Sequence, residues 1–243
     1  MKKRRKKNMP EDLQKLRKEI DAIDISILEA LNQRIDLASK IGQAKAVKNL
    51  PVYDPVREEE VLRRMLEANS GPFPAKSIKE IYREIISAAR FMQKPLQVAF
   101  LGPRATFTHQ AALQSFGSSV EFCPYRTIPE IFSAVEGMVA DYGVVPVENS
   151  SQGSVYATLD SLVESPLRIL SENYLKIEHC LISHSPLSKI KKVYSKDQAL
   201  GQCREWLARN LPEAEWMDCS STAHAVEIVA VEDGAAAIAG SLA

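Results

Sequence analysis

Asp141-Tyr-Gly-Val-Val-Pro-Val-Glu-Asn-Ser-Ser-Gln-Gly-Ser-Val155 is the stretch on which the reading of this chain turns. The apolar run predicts a short buried strand over Tyr142 to Val147, with Glu148, Asn149, Ser150 and Ser151 crowded at its carboxyl end. Ligands in open α/β sheets bind at that end of a strand. Gly153 permits a tight turn with close backbone approach, and Ser154 is placed to cap a helix through Leu159 and Leu162. The free N–H groups of such a helix start suit a carboxylate or a phosphate. By local pattern alone, the same string also describes an ordinary strand, loop and helix.

The chain around it repeats the theme. Leu96 to Leu101 reads as a strand, Gly102-Pro103 as a turn, Thr108 to Phe116 as a short helix and Glu121 to Cys123 as a second strand. Thr127-Ile-Pro-Glu130 is a capping box. Helices between strands imply a parallel sheet with right-handed crossovers. Ile169 to Ile182 reads as a long extended segment. Val193-Tyr194, a helix from about Gln198 to Asn210, a strand near Glu215 to Cys219 and a helix from Thr222 form a second unit of the same kind. Two α/β lobes with a cleft between them follow. Asp233-Gly-Ala-Ala-Ala-Ile-Ala-Gly-Ser-Leu-Ala243 reads as the start of one more helix.

Before Lys94-Pro95 the period is different. Apolar residues at Leu13, Leu16, Ile20, Ile23, Ile27, Leu31, Ile35, Ala38 and Ile41 step by three and four, which predicts one long helix from Glu11 to about Ala46. Its apolar stripe needs a partner. The turn at Asn49-Leu-Pro51 ends it, Asp54-Pro55 starts a second helix, and Ser70-Gly-Pro-Phe-Pro74 stops that one. Ser77-Ile-Lys-Glu80 reads as a capping box for a third helix, with Ile78, Ile81, Ile85, Ile86 and Ala89 as its apolar face.

The cations of the long helix are spaced informatively. Arg17 and Arg34 lie about 25 Å apart along a straight helix, too far to hold one small ligand. Lys45 lies about 20° around from Arg34 and three turns further on, so those two side chains can converge. If Arg17 serves the same kind of site, it does so in a partner chain, and antiparallel pairing of two long helices creates two equivalent sites. Read by themselves, the same residues are solvated cations on a helix face.

Two resemblances add to this. Residues 11–94 resemble the chorismate mutase domain of the all-helical class, with matches at Arg17, Arg34, Lys45, Asp54, the Arg57-Glu58 pair and Gln93. Ala89 departs, since the family often has Ser there. Residues 96–243 resemble the prephenate dehydratase family, whose signature Val-Pro-(Ile/Val)-Glu-Asn-Ser followed by Gly-Ser-Val is matched within 141–155. Leu101-Gly-Pro-Arg-Ala-Thr-Phe-Thr-His109 matches a further motif, with Arg104 and Ala105 in place of an acid and a glycine. Tyr194-Ser-Lys-Asp-Gln198 and Ser220-Ser-Thr-Ala-His224 match two more.

The resemblance implies an all-α domain of three helices forming an intertwined dimer over 11–95. An α/β domain with two lobes, like that of periplasmic ligand-binding proteins, follows over 96–243. It also implies roles. Arg17 of the partner and Arg34 would clamp the carboxylates of chorismate, Lys45 and Gln93 would address its ether oxygen, Glu58 with Asp54 would bind the ring hydroxyl, and Arg57 would support the pocket. Prephenate would be bound by Thr106, Glu148, Asn149, Ser150, Gln198, Ser221 and Thr222. No cofactor and no metal are expected. The family's closing Thr-Arg-Phe motif and its effector-binding ACT domain do not occur by Ala243, so the dehydratase domain is expected to be incomplete. The other course is a mutase-only enzyme, with residues 96–243 as a ligand-binding sensor or scaffold.

Composition bounds the rest. At 243 residues the chain has room for roughly two domains. Thirty-one basic and 31 acidic residues balance, which argues against a broad nucleic-acid surface. No apolar run approaches the roughly 20 residues of a membrane span, so a cytoplasmic protein is expected. Lys2 to Lys7 form a basic run within residues 1–10, read as a disordered tail. Cys123, Cys180, Cys203 and Cys219 show neither metal nor disulfide spacing and are expected to be reduced.

Overall fold

The computed structural model describes residues 11–149 and 153–243. The basic run at Lys2 to Lys7 and the site candidate Ser150 lie outside them. The chain divides into two compact units between Lys94 and Pro95. No helix of the described residues is long and apolar enough to cross a membrane.

The first unit has helices α1 (Glu11–Val47), α2 (Pro55–Ala68) and α3 (Ala75–Phe91), with α3 packed on both others. Helix α1 ends in a left-handed Asn49 (φ 50°), with Leu50 N donating to Lys45 O at 3.0 Å and Asn49 N to Ala46 O at 3.2 Å. That pair of bonds satisfies carbonyls the helix end would leave open. It also turns the chain back beside Lys45. Asp54 caps α2 by accepting from Arg57 N at 3.0 Å, and Pro55, lacking an N–H, sits at the helix start. The third helix starts earlier than its expected capping box. Pro74 is the N-cap with no side-chain bond, and Ser77 lies inside the helix. The extended backbone of Pro74 is a sufficient helix boundary without a hydroxyl.

Among the described residues, only the second half of α1, from Leu31 onward, has packing within the chain. Residues 12–30 are exposed throughout, and the stripe residues Leu13, Leu16, Ile20, Ile23 and Ile27 are 42–59% exposed.

The second unit begins with β1 (Gln97–Leu101), α4 (Phe107–Phe116), β2 (Glu121–Tyr125), α5 (Ile128–Glu136) and β3 (Tyr142–Val144). The three strands form a parallel sheet in the order β2-β1-β3. Ala99, Ile131, Ala134 and Ala140 form a buried cluster between sheet and helix. The strand over Tyr142–Val147 is shorter than expected, because the chain leaves the sheet at Val145 before Pro146. A hairpin of β4 (Glu148–Asn149) and β5 (Gly153–Ser154) follows, then α6 (Tyr156–Glu164). Ser154 does not cap α6. It is spent in the hairpin opposite Glu148, and Val155 is the N-cap without a side-chain bond.

The second sheet is built from β6 (Cys180–Ile182), β7 (Lys192–Ser195), β8 (Glu215–Asp218) and β9 (Ala235–Ala239), in the order β6-β9-β7-β8. Strands β7, β8 and β9 are parallel, and β6 is antiparallel to β9. Of the expected extended segment over Ile169–Ile182, only β6 pairs in a sheet. The single helix expected over Gln198–Asn210 is two, α7 (Asp197–Gln202) and α8 (Arg204–Asn210), parted at Cys203. Helix α9 (Thr222–Val229) precedes β9.

The chief correction is at β9. Its alanine-rich sequence suggests a helix, yet all five residues are at most 2% exposed in an inner strand. Ala236 and Ile238 join Leu200 and Leu207 on one face, while Ala235 and Ala237 meet Ala225 and Val229 on the other. A helix preference of at most about 0.7 kcal/mol per residue is outweighed when small side chains fit between two covered faces and the backbone pairs on both edges.

Candidate functional site

The helical unit gathers most of its candidate residues near the α1–α2 turn. Lys45, in the last turn of α1, donates from Nζ to Val52 O at 3.0 Å and is half-buried. Arg34 Nη1 reaches Ile85 O at 3.5 Å. Glu58, in the first turn of α2, faces Arg34, Lys45, Asp54 and Arg90. Burial pushes its carboxyl up to about 7; Asp54 adds to the rise, and Arg90, Lys45 and Arg34 oppose it.

Gln93 closes the group. Its stem lies against Gly42, where an added Cβ would come within 2.6 Å of Gln93 Cγ. Glycine inside a helix costs about 1 kcal/mol relative to alanine, and here its missing side chain is the space that Gln93 fills. The Gln93 amide donates to Ala89 O at 3.3 Å, and its Oε1 is buried with no hydrogen-bond partner among the described residues. A buried amide oxygen in that state marks a polar position open to a further partner.

Two candidates lie elsewhere. Arg57 points along the exposed face of α2, paired with Glu60 at 3.0 Å. Arg17 is on the exposed first half of α1, with no cation of the gathered group on its own turn. Arg90 was missed by sequence reasoning. It is 3% exposed, ion-paired to Glu58 at 3.3 Å and set over the Tyr53 ring at 4.9 Å. The available signal was a charged residue one turn after Ile86 on the apolar face of α3.

In the α/β unit, the candidates follow the carboxyl ends of parallel strands in both sheets. Thr106, after β1, caps α4 by accepting from His109 N at 3.3 Å. Glu148 and Asn149 follow β3, Gln198 follows β7, and Ser221 and Thr222 follow β8. Ser221 caps α9, accepting from His224 N at 3.0 Å, and so opens that helix start at the sheet edge. The lobes meet beside Thr106: the Phe107 ring lies 5.7 Å from that of His179, and a Cβ at Gly240, just past β9, would be 2.8 Å from Phe107.

Ala105, standing where the family motif has glycine, adopts a left-handed φ of 64°. That backbone costs a side-chain-bearing residue about 1–2 kcal/mol. The loop is held by Ala105 N donating to His109 Nδ1 at 3.0 Å. His109 is buried against Phe100 and Phe122, and burial, then the charge of Arg104, hold its pKa below the usual histidine range. A neutral ring keeps Nδ1 free to accept.

Comparison with known proteins follows the same division. The sequence profile of prephenate dehydratases matches residues 98–243, and that of type II chorismate mutases matches residues 16–94. The bifunctional chorismate mutase/prephenate dehydratase of Aquifex aeolicus is 46% identical over 238 residues, 96% of this chain and 66% of the relative. That of Neisseria gonorrhoeae is 44% identical over 228 residues, 92% of this chain and 62% of the relative. The chain thus spans just under two thirds of the length of these curated relatives. The crystal structure of a prephenate dehydratase from Arthrobacter aurescens in complex with L-Phe is 32% identical, with a TM-score of 0.50, covering 60% of this chain and 50% of that one.

Proposed function

We propose, because this chain belongs to the prephenate dehydratase family and carries a type II chorismate mutase region ahead of it, that it is a cytoplasmic bifunctional enzyme of phenylalanine biosynthesis. The helical unit rearranges chorismate to prephenate, and the α/β unit removes water and carbon dioxide from prephenate to give phenylpyruvate. The observation that carries the first activity is the convergence of Arg34, Lys45 and Glu58 beside a Gln93 seated on Gly42.

The chemistry asks for those groups. Chorismate is a dianion whose ether bond breaks as a new carbon–carbon bond forms, with charge developing on the ether oxygen. No nucleophile and no proton transfer enter. Catalysis comes from holding the compact conformer and placing donors on that oxygen. Arg34 holds one carboxylate, Lys45 and Gln93 address the ether oxygen, and Glu58 with Asp54 takes the ring hydroxyl. Lys45 supplies the charge, since an amide offers only a neutral bond.

The second carboxylate falls to Arg17 of a second copy. The exposed stripe from Leu13 to Ile27 is the surface on which two α1 helices pair antiparallel, because a monomer would leave it in water. The site is then shared in a homodimer. For prephenate, Thr106, Asn149, Gln198, Ser221 and Thr222 supply donors at the strand ends, and Glu148 orients the substrate. Ser150 belongs to the same set by the motif. A mutase-only chain with residues 96–243 as a sensor or scaffold is not favoured, since the relatives matching across those residues are bifunctional enzymes.

The purified chain in excess chelator is expected to consume chorismate, because its own cations suffice. A folded sample that leaves chorismate untouched overturns the reading. Phenylpyruvate formed from added prephenate is the matching readout for the α/β unit.

Gly42→Ala adds a test of the geometry. Helix propensity alone would stabilise the variant by about 1 kcal/mol. The new methyl group displaces the Gln93 stem, and kcat/KM for chorismate is expected to fall about 10- to 100-fold, the scale for a misplacement near 1 Å. A thermal midpoint that is kept or raised together with unchanged kinetics would show that Gln93 does not act from this position.

A further inference from the structure

We infer that Arg90 is a positioning residue of the mutase site, fixing the Glu58 carboxylate toward the ring hydroxyl of chorismate. The inference rests on the function proposed above and extends it to a residue outside the gathered ligand-binding set.

Arg90 is 3% exposed, with its guanidinium 3.3 Å from Glu58 and 4.9 Å from the Tyr53 ring centroid. Tyr53, itself 5% exposed, belongs to the turn before α2, Glu58 to the first turn of α2, and Arg90 to the end of α3. One side chain therefore joins three segments that meet at the site. Stability does not account for it. A buried ion pair is commonly no better for stability than well-packed apolar residues of equal volume, because desolvation consumes the Coulombic gain.

What Arg90 offers is a permanent charge that the substrate does not claim. Among the described residues, four charged side chains face Glu58: Arg34 and Lys45 from α1, Asp54 from the turn and Arg90 from α3. Burial and Asp54 both favour the protonated acid. When chorismate binds, Arg34 and Lys45 turn to its anionic and ether oxygens, and their charge is matched by the ligand. Arg90 then remains the cation committed to Glu58. A guanidinium is a permanent cation, and this one lies over the Tyr53 ring.

The test is the pH dependence of kcat/KM for chorismate, which reports ionisations of the free enzyme. Glu58, ionised, accepts from the ring hydroxyl, so kcat/KM should rise with pH through about 7. Removing the opposing cation raises the Glu58 pKa further. In Arg90→Met the limb should move up by about one pH unit or more, the usual effect of losing a close opposite charge. At pH 7 the variant should show KM raised at least about fivefold with kcat near wild type, and the deficit should close at high pH. Glu58→Gln should have no such limb, and adding Arg90→Met to it should change nothing more.

A merely structural Arg90 predicts a loss that alkaline pH does not repair. An unshifted limb in folded Arg90→Met, a wild type without the limb, or a pH-independent loss each overturn the inference. If Arg90→Met does not fold, Tyr53→Leu removes the ring under the guanidinium and should shift the limb the same way by less; an unchanged profile there is equally decisive. A wild type that does not turn over chorismate would instead sink the proposed function.

Discussion

Lys45→Met is expected to lower kcat/KM for chorismate by about 10²- to 10³-fold, the scale observed when a single donor to a developing oxyanion is removed. Methionine keeps the unbranched stem and deletes only the charge and its donors. The structural cost is small by comparison. Lys45 occupies the last turn of α1, where a cation gains about 0.3–1 kcal/mol from the helix dipole, and among the described residues its ammonium donates to Val52 O. Rate and stability therefore separate. Kinetics with a thermal melt of the same sample check it: a melt lowered by a few degrees with a loss of at least 10²-fold is expected. A loss below tenfold in a folded variant means that another group carries the charge at the ether oxygen.

Arg17→Ala and Arg34→Ala are each expected to reduce mutase activity by at least about 30-fold, since truncating one partner of a desolvated charge pair costs roughly 2–5 kcal/mol. The two losses have different geometric origins. Arg34 is half-buried beside Ile85 O, within reach of the Lys45 and Glu58 group. Arg17 is exposed about 25 Å up the same helix, and within one chain nothing explains why its removal should matter. Equal severity at these two positions is what the proposed shared site predicts. Near-wild-type kinetics in Arg17→Ala would remove the need for a second chain.

How much of this was legible beforehand follows the physics of each element. Helix α1 could be read because its step of three and four persists from Leu13 to Ile41. The start of α2 could be read because Asp54-Pro55 combines a capping acceptor with a residue that needs no N–H partner. The helix α1 stripe was legible as a face requiring a partner, and the described residues leave its first half, from Leu13 to Ile27, uncovered.

What escaped depended on tertiary context. Nothing local in Ala235–Ala239 says that both faces will be covered, so intrinsic preference pointed to helix and packing decided for strand. The kink at Cys203 and the loss of Ser154 to a hairpin are of the same kind. Arg90 is a different failure. A buried cation on an apolar helix face breaks the binary pattern, and such breaks concentrate where a site is being built. Attention to the face of α3, rather than to motif positions alone, would have found it.

Mixing inactive Arg17→Ala and Arg34→Ala chains under conditions that permit subunit exchange tests the shared site most directly. Each heterodimer places both defects in one site and leaves the other intact. Random exchange at equal concentrations should therefore restore roughly a quarter of wild-type mutase activity. If the exchanged mixture stays as inactive as its two components, or if sedimentation shows a folded and active monomer, each site is built from a single chain.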